Sequence, residues 1–143
     1  MKCAFCEDEN KDKRVIIKNE LACAFLGIQP IVVGHTLIIP KRCVAKFEDL
    51  TENEKSSIFN LMKKVKSVLE KTFNCEGFNI AWNENLIAGQ TVPHFHLHVI
   101  PRKKGDKGIY KYEPRDFLYR PGSRANSKIE ELQEIAKLIK NNF

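Results

Sequence analysis

The chain lacks what would tie it to a membrane or to an oxidising compartment. No stretch approaches the ~20 consecutive apolar residues that span a bilayer. The opening residues, MKCAFCEDEN, contain no apolar segment of the secretory type, so the expected location is cytoplasmic. Five cysteines do not close into a set of disulfides, and without export they are expected as reduced thiols or metal ligands. No carboxylate cluster of the magnesium-binding kind is evident. The net charge of +6 favours an anionic partner, yet the lysines are scattered among glutamates, as in Lys63, Lys64, Lys66, Glu70 and Lys71. They form no stripe interleaved with aromatics, so nucleic acid is weakly supported and a solvated lysine-rich surface is the plainer reading.

What remains is enough for one domain. The 143 residues are 43% hydrophobic, sufficient for a core without staples. Histidine is scarce at four residues, but three of them fall in five positions, His94-Phe95-His96-Leu97-His98. On a strand, side chains alternate faces. A strand here would turn His94, His96 and His98 to one side and Phe95, Leu97 and Val99 to the other. Imidazole suits nucleophilic, acid–base and metal chemistry near neutral pH.

The rest of the chain frames that segment. Arg14 to Lys18 and Leu21 to Leu26 are short apolar runs around an Asn19-Glu20 turn, and Thr36 to Ile39 is a third run ended by Pro40. Thr51 and Glu54 form a capping box ahead of Ile58, Leu61, Met62, Val65, Val68, Leu69 and Phe73, which predicts a long central helix stopped by Asn74 and turned at Gly77. Phe78 to Trp82 predicts a strand before the histidine strand, which runs to Ile100 and is closed by Pro101. Residues 103–126 predict an irregular excursion. Ser127 and Glu130 suggest a second capping box for a terminal helix striped by Ile129, Leu132, Ile135, Ala136 and Ile139. The expectation is one α+β domain over 1–143 with an antiparallel sheet of about five strands, a central helix and a C-terminal helix.

The segment from Gln90 to Arg102, QTVPHFHLHVIPR, resembles the histidine-triad (HIT) family, whose signature is His-φ-His-φ-His-φ-φ with φ apolar. Gly34-His35-Thr36-Leu37-Ile38-Ile39-Pro40-Lys41 is similar to a second family segment. Asn83 and Gly89-Gln90-Thr91 stand where the family has its phosphate-contacting loop. The resemblance covers roughly residues 3–102, leaving 103–143 as an extension. It implies a HIT-like fold, a homodimer that includes the central helix in its interface, and a nucleotide substrate. It implies cleavage at the α-phosphate of a dinucleoside polyphosphate or nucleoside phosphoramidate through a nucleotidyl-histidine, without a catalytic metal. By position His96 would be the nucleophile, His98 a donor to phosphate or leaving group, and His35 their neighbour. Asn83, Gly89, Gln90 and Thr91 would hold phosphate. Phe25 and Ile28 would sandwich a base or simply belong to the core. Arg102 would bind outer phosphates or be solvated. Two alternatives stay open: a nucleotide-binding regulatory module with little activity, and a nucleotidyltransferase, against which His98 argues.

Cys3-Ala4-Phe5-Cys6 alone is half of a zinc site. The resemblance completes it, since zinc-containing relatives use this pair, the first triad histidine and a fourth ligand shortly after the Pro-Lys segment. Here Cys43 takes that place, giving Cys3, Cys6, Cys43 and His94 as candidate structural zinc ligands. Without a metal, Cys43 would be a small buried residue. Cys23 and Cys75 read as core or edge thiols. Gly27 stands where relatives carry an Asp or Asn that grips ribose, a departure that Gln29 could partly offset.

Overall fold

In the computed structural model, which describes residues 3–106 and 126–143, the long central helix organises the rest. This helix, Glu52–Phe73, starts on the expected capping box: Glu54 N–H donates to Thr51 Oγ1 (3.1 Å) and Thr51 N–H to Glu54 Oε1 (2.9 Å). Such a cap contributes about 1 kcal/mol. The helix ends where Asn74 adopts a left-handed conformation (φ 52°) and its N–H reaches Glu70 O. One stripe, Ile58, Leu61, Val65, Val68 and Leu69, is buried.

That stripe lies on an antiparallel sheet in the order β1-β2-β3-β5-β4, comprising β1 Val15–Lys18, β2 Ala22–Leu26, β3 Thr36–Pro40, β4 Gly77–Ala81 and β5 Leu97–Arg102. Ala22, Ala24, Leu26, Ile38, Leu97 and Val99 meet the helix from the sheet. The C-terminal helix, Ile129–Lys140, closes the same core with Leu132, Ala136 and Ile139. Burying each large aliphatic side chain contributes about 1.5–3 kcal/mol, so this face supplies most of the stability. On the other face Cys23, Phe25, Leu37 and Ile39 form a smaller cluster. It is covered by Phe5 and Val15 from a segment carrying two one-turn helices, Ala4–Glu7 and Lys11–Arg14. With chain-order labels, the four α-helices among the described residues are α1 to α4, the central one being α3. Among the described residues no helix is long and apolar enough to cross a membrane.

Several expectations change. Arg14 ends α2, and the first strand begins at Val15. Gly77 opens β4 and makes no turn, because Asn74 has already reversed the chain. The histidine strand starts at Leu97, so His94 and His96 precede it, His94 in a bend. The register explains this. Thr36 pairs Val99 and Ile38 pairs Leu97, which would set Pro40 opposite Phe95. Proline has no N–H for the ladder. Phe95 N–H turns to Val44 O instead, at 2.6 Å. Alternation survives regardless: Phe95, Leu97 and Val99 all enter the main core. At the other end β5 continues through Pro101, where β3 has already stopped. The second capping box does not form. Lys128 is the N-cap residue, and Ser127 N–H is engaged with Ile28 O at 2.9 Å. Most of the 103–126 segment lies outside the described residues.

Candidate active site and metal cluster

His35 is aimed by a tight turn. Gly34 has φ 94°, and a Cβ there would sit 2.8 Å from the Phe73 ring, so the turn needs glycine on both counts. His35 Nδ1 accepts from Ile31 N–H at 3.0 Å, which places the ring proton on Nε2. His35 Nε2 lies 2.9 Å from His98 Nδ1 and therefore donates to it. His98, neutral, then carries its own proton on Nε2. His96 is set independently. Its Nδ1 is 2.8 Å from His94 O and must donate to that carbonyl, leaving a lone pair on Nε2. Burial is the main reason the His96 imidazole is held below the usual histidine range, so the ring is neutral at pH 7. The His96 and His98 rings stand 5.0 Å apart, nearly edge to face.

These three histidines meet at a cavity of about 450 Å³, within the range of small-molecule sites. His35, His96, His98 and Thr91 line one part of it, and Phe5, Asp8, Arg14, Gly27, Ile28 and Gln29 line much of the rest. A Cβ on Gly27 would make only ordinary contacts, the closest at 3.7 Å, so backbone sterics do not require glycine there. Gln29 lines the wall while its amide donates to Asn126 Oδ1 at 2.8 Å.

The other expected binding residues divide. Ile28 reaches the cavity, but Phe25 is fully buried beneath the Arg14 guanidinium, 5.1 Å from its ring, and is not part of the lining. Gln90 braces the loop: its amide donates to Ala45 O (2.8 Å) and accepts from Asn85 N–H (2.9 Å). Gly89, at φ 96°, ends the 3-10 turn Leu86–Ala88, and Asn83 is buried two residues after β4; neither lines the cavity. Arg102 is held elsewhere, forked onto Asp106 (2.9 and 3.0 Å) and bonded to Asn79 (3.1 Å). Phe5, Asp8 and Arg14 were not foreseen as cavity residues. Phe5 carried a signal in lying between two candidate ligands; Arg14 carried none. The Arg14 guanidinium is buried, pairs with Asp8 and bonds Leu26 O, which ties the N-terminal segment to β2.

Beside the cavity Cys3, Cys6, Cys43 and His94 converge, their ligand atoms all within 4.8 Å of one another. Cys3 Sγ is 3.3 Å from Cys6 Sγ, 3.6 Å from Cys43 Sγ and 3.4 Å from His94 Nδ1. A tetrahedral zinc with ordinary bond lengths needs ligand atoms about 3.3–3.8 Å apart. His94 Nε2 donates to Pro40 O at 2.8 Å, so its Nδ1 lone pair faces the sulfurs, the outer-shell arrangement that orients metal-bound histidines. Burial first, and the adjacent Cys3 and Cys6 next, push the Cys43 thiol up to about 12. Three crowded sulfurs cannot all ionise without a cation among them. The donor set fits a closed four-coordinate metal.

Comparison with known proteins agrees with this geometry. The model of the HIT domain family matches residues 8–105. The chain is 44% identical over 106 residues to the asymmetrical bis(5'-nucleosyl)-tetraphosphatase of Schizosaccharomyces pombe, covering 74% of this chain and 56% of that protein. It is 36% identical to the bis(5'-adenosyl)-triphosphatase of Dictyostelium discoideum, over 76% of this chain and 70% of the relative. This chain therefore spans little more than half of the first relative's length. Among solved structures it resembles a zinc-bound histidine triad family protein from Mycobacterium smegmatis, with a TM-score of 0.69, 27% identity, and coverage of 90% of this chain and 81% of that one.

Proposed function

Because this chain belongs to the HIT domain family, we propose that it is a nucleotide hydrolase that cleaves at the α-phosphate of a dinucleoside polyphosphate or nucleoside phosphoramidate, through a nucleotidyl-His96 intermediate. The observation that carries the proposal is the hydrogen bond from His96 Nδ1 to His94 O, which leaves a neutral, nucleophilic Nε2 at the cavity wall. His96 Nε2 attacks phosphorus. The new P–N bond forms as the bond to the leaving group breaks, and the positive charge gained by the ring is met by the His94 carbonyl. Phosphoryl chemistry chiefly asks for positioning and neutralisation of spread charge. The His98 Nε2–H supplies a donor to the α-phosphate or the departing atom, an oxygen in a polyphosphate or a nitrogen in a phosphoramidate; an amine leaves with that proton and His98 regains one from the attacking water, while His35 fixes the donor by occupying His98 Nδ1. Water then attacks phosphorus, the P–N bond breaks, a proton passes to solvent and the neutral imidazole is restored. Thr91 is the member of the expected phosphate loop that lines the cavity.

In this proposal Cys3, Cys6, Cys43 and His94 hold a structural zinc ion, which supplies folding stability and no step of the reaction. A reducing compartment, the cytoplasm, keeps those thiols available. The functional unit is a homodimer built on α3 and the sheet edge at β4, where Ile80 is exposed and β4 has no second strand partner among the described residues. Light scattering of the purified protein measures that mass directly.

The test is mass spectrometry after brief mixing with diadenosine polyphosphates and with adenosine phosphoramidate. An adenylyl adduct on the peptide containing His96, with AMP as product, is the expected result. Product without adduct on any histidine, under conditions that trap it in a known histidine nucleotidyl enzyme, would sink the covalent route.

A further inference from the structure

The cavity and the metal cluster share a wall, and one residue belongs to both. We infer that metal binding sets the nucleotide affinity of the cavity, with Phe5 as the positioning residue between them. The inference rests on the metal reading proposed above and extends it from stability to substrate binding.

Phe5 lies between Cys3 and Cys6 in sequence. Its ring meets the His94 ring on one side, at 5.9 Å and 61°, and the His96 ring on another, at 5.1 Å and 88°. A third edge contact, at 5.4 Å, rests it on buried Phe25. The same ring lines the cavity. Thus one aromatic side chain touches a candidate metal ligand, the candidate nucleophile and the space the nucleotide would fill.

The backbone that carries Phe5 cannot hold itself. α1 has four residues, none of them buried, and no side-chain cap. A single turn is far below the length at which a helix is stable alone. Its restraints are the packing of Phe5 on the Phe25 and Leu37 cluster, the flanking thiols, the Lys11 Nζ bond to Phe5 O at 2.9 Å and the Arg14–Asp8 pair. The Lys11 bond is partly exposed and offers little rigidity. A cation bonded to both Cys3 and Cys6 fixes the two ends of the loop, and Phe5 with them. A nucleotide then binds a wall already ordered, where otherwise binding must order it. Because this is a coupling free energy it is reciprocal: nucleotide must tighten metal by the factor that metal tightens nucleotide.

The experiment is a cycle on the full chain. AMP affinity is measured by calorimetry with zinc bound and after chelation, in the native protein and in Phe5→Ala. Chelation should weaken AMP binding about tenfold in the native protein, a typical coupling between sites. Phe5→Ala should bind AMP weakly in both states, and its loss on chelation should fall below about twofold. Should the chelated protein unfold, the reciprocal arm replaces it: zinc transfer to a competing chelator is followed with and without AMP. AMP should raise zinc retention about tenfold in the native protein and leave Phe5→Ala unchanged. Phe5→Leu, which keeps apolar bulk, should recover part of the coupling. A residue that only packs would shift melting temperature in every arm and leave the metal dependence of AMP binding intact; that result, or an AMP affinity indifferent to zinc, overturns the inference. Protein that carries no stoichiometric metal as purified fails at the earlier step and rejects the metal reading itself.

Discussion

His94 and His96 sit two residues apart just ahead of β5, yet they have two different surroundings. His94 gives its Nε2 proton to Pro40 O and turns its Nδ1 lone pair toward three sulfurs in a closed cluster. His96 gives its Nδ1 proton to the carbonyl of His94 and turns its Nε2 lone pair to an open cavity. Burial lowers both rings, so both are neutral. The difference is therefore not one of charge. The backbone acceptor that each proton finds decides which nitrogen is free and what that nitrogen faces. In an imidazole, which can serve either metal or phosphorus chemistry, the hydrogen bond chooses the nitrogen that stays available.

The largest effect should come from breaking the open side. His96→Ala should lower turnover by about 10⁴-fold or more, the scale of losing an attacking group, while AMP binding stays measurable by calorimetry. Wild-type turnover in that variant would reject the nucleophile assignment. Breaking the closed side should give the opposite pattern. Cys43→Ala should lose stoichiometric zinc by elemental analysis and about 3 kcal/mol of stability, some 10 °C in melting temperature for a domain of this size, with His96 still able to form adduct.

His35→Ala probes the comparison more finely, because it leaves both settings standing and removes only the group that places the His98 proton. A drop of about 10²-fold in kcat with KM little changed is expected. An equal rise in KM would assign His35 to ground-state binding instead. The smallest effect comes from an ion pair at the start of α3 whose Glu54 belongs to neither group of histidines. The Arg42 guanidinium bonded to Glu54 at 2.7 Å holds that carboxyl below its ordinary value of 4.5. A folded-state pKa below the unfolded one gives stability that is present above about pH 4.5 and is lost as pH falls through the folded value. Glu54→Gln should thus cost under about 1 kcal/mol at pH 7, because Arg42 is half exposed, and the gap should close in acid unfolding curves as the pH falls through the lowered folded value.

Much of the frame was legible because its signals are local. The Thr51–Glu54 box and the apolar spacing through Phe73 specify α3 without reference to anything else. Runs of alternating or continuous apolar residues gave the five strands to within a residue or two at most ends. Failures cluster where a distant partner intervenes. Ser127 matches a cap motif, but Ile28 O claims its N–H. The histidine strand starts late because register sets Pro40 opposite Phe95. The Arg14 guanidinium over the Phe25 ring is a tertiary contact of the same kind. So is the bond from the Gln90 amide to Ala45 O.

By itself the sequence determined the family, the alternation that sends Phe95, Leu97 and Val99 into the core, and the types of side chain available for chemistry. Those follow from residue identity and short spacing, which are written along the chain. Only the tertiary structure decided which nitrogen of each histidine is free, that Cys43 closes on Cys3 across 40 positions, and that Phe5 stands between the two sites. A proton's place depends on which acceptor lies within about 3 Å, and that distance exists only once strands far apart in sequence have been laid side by side.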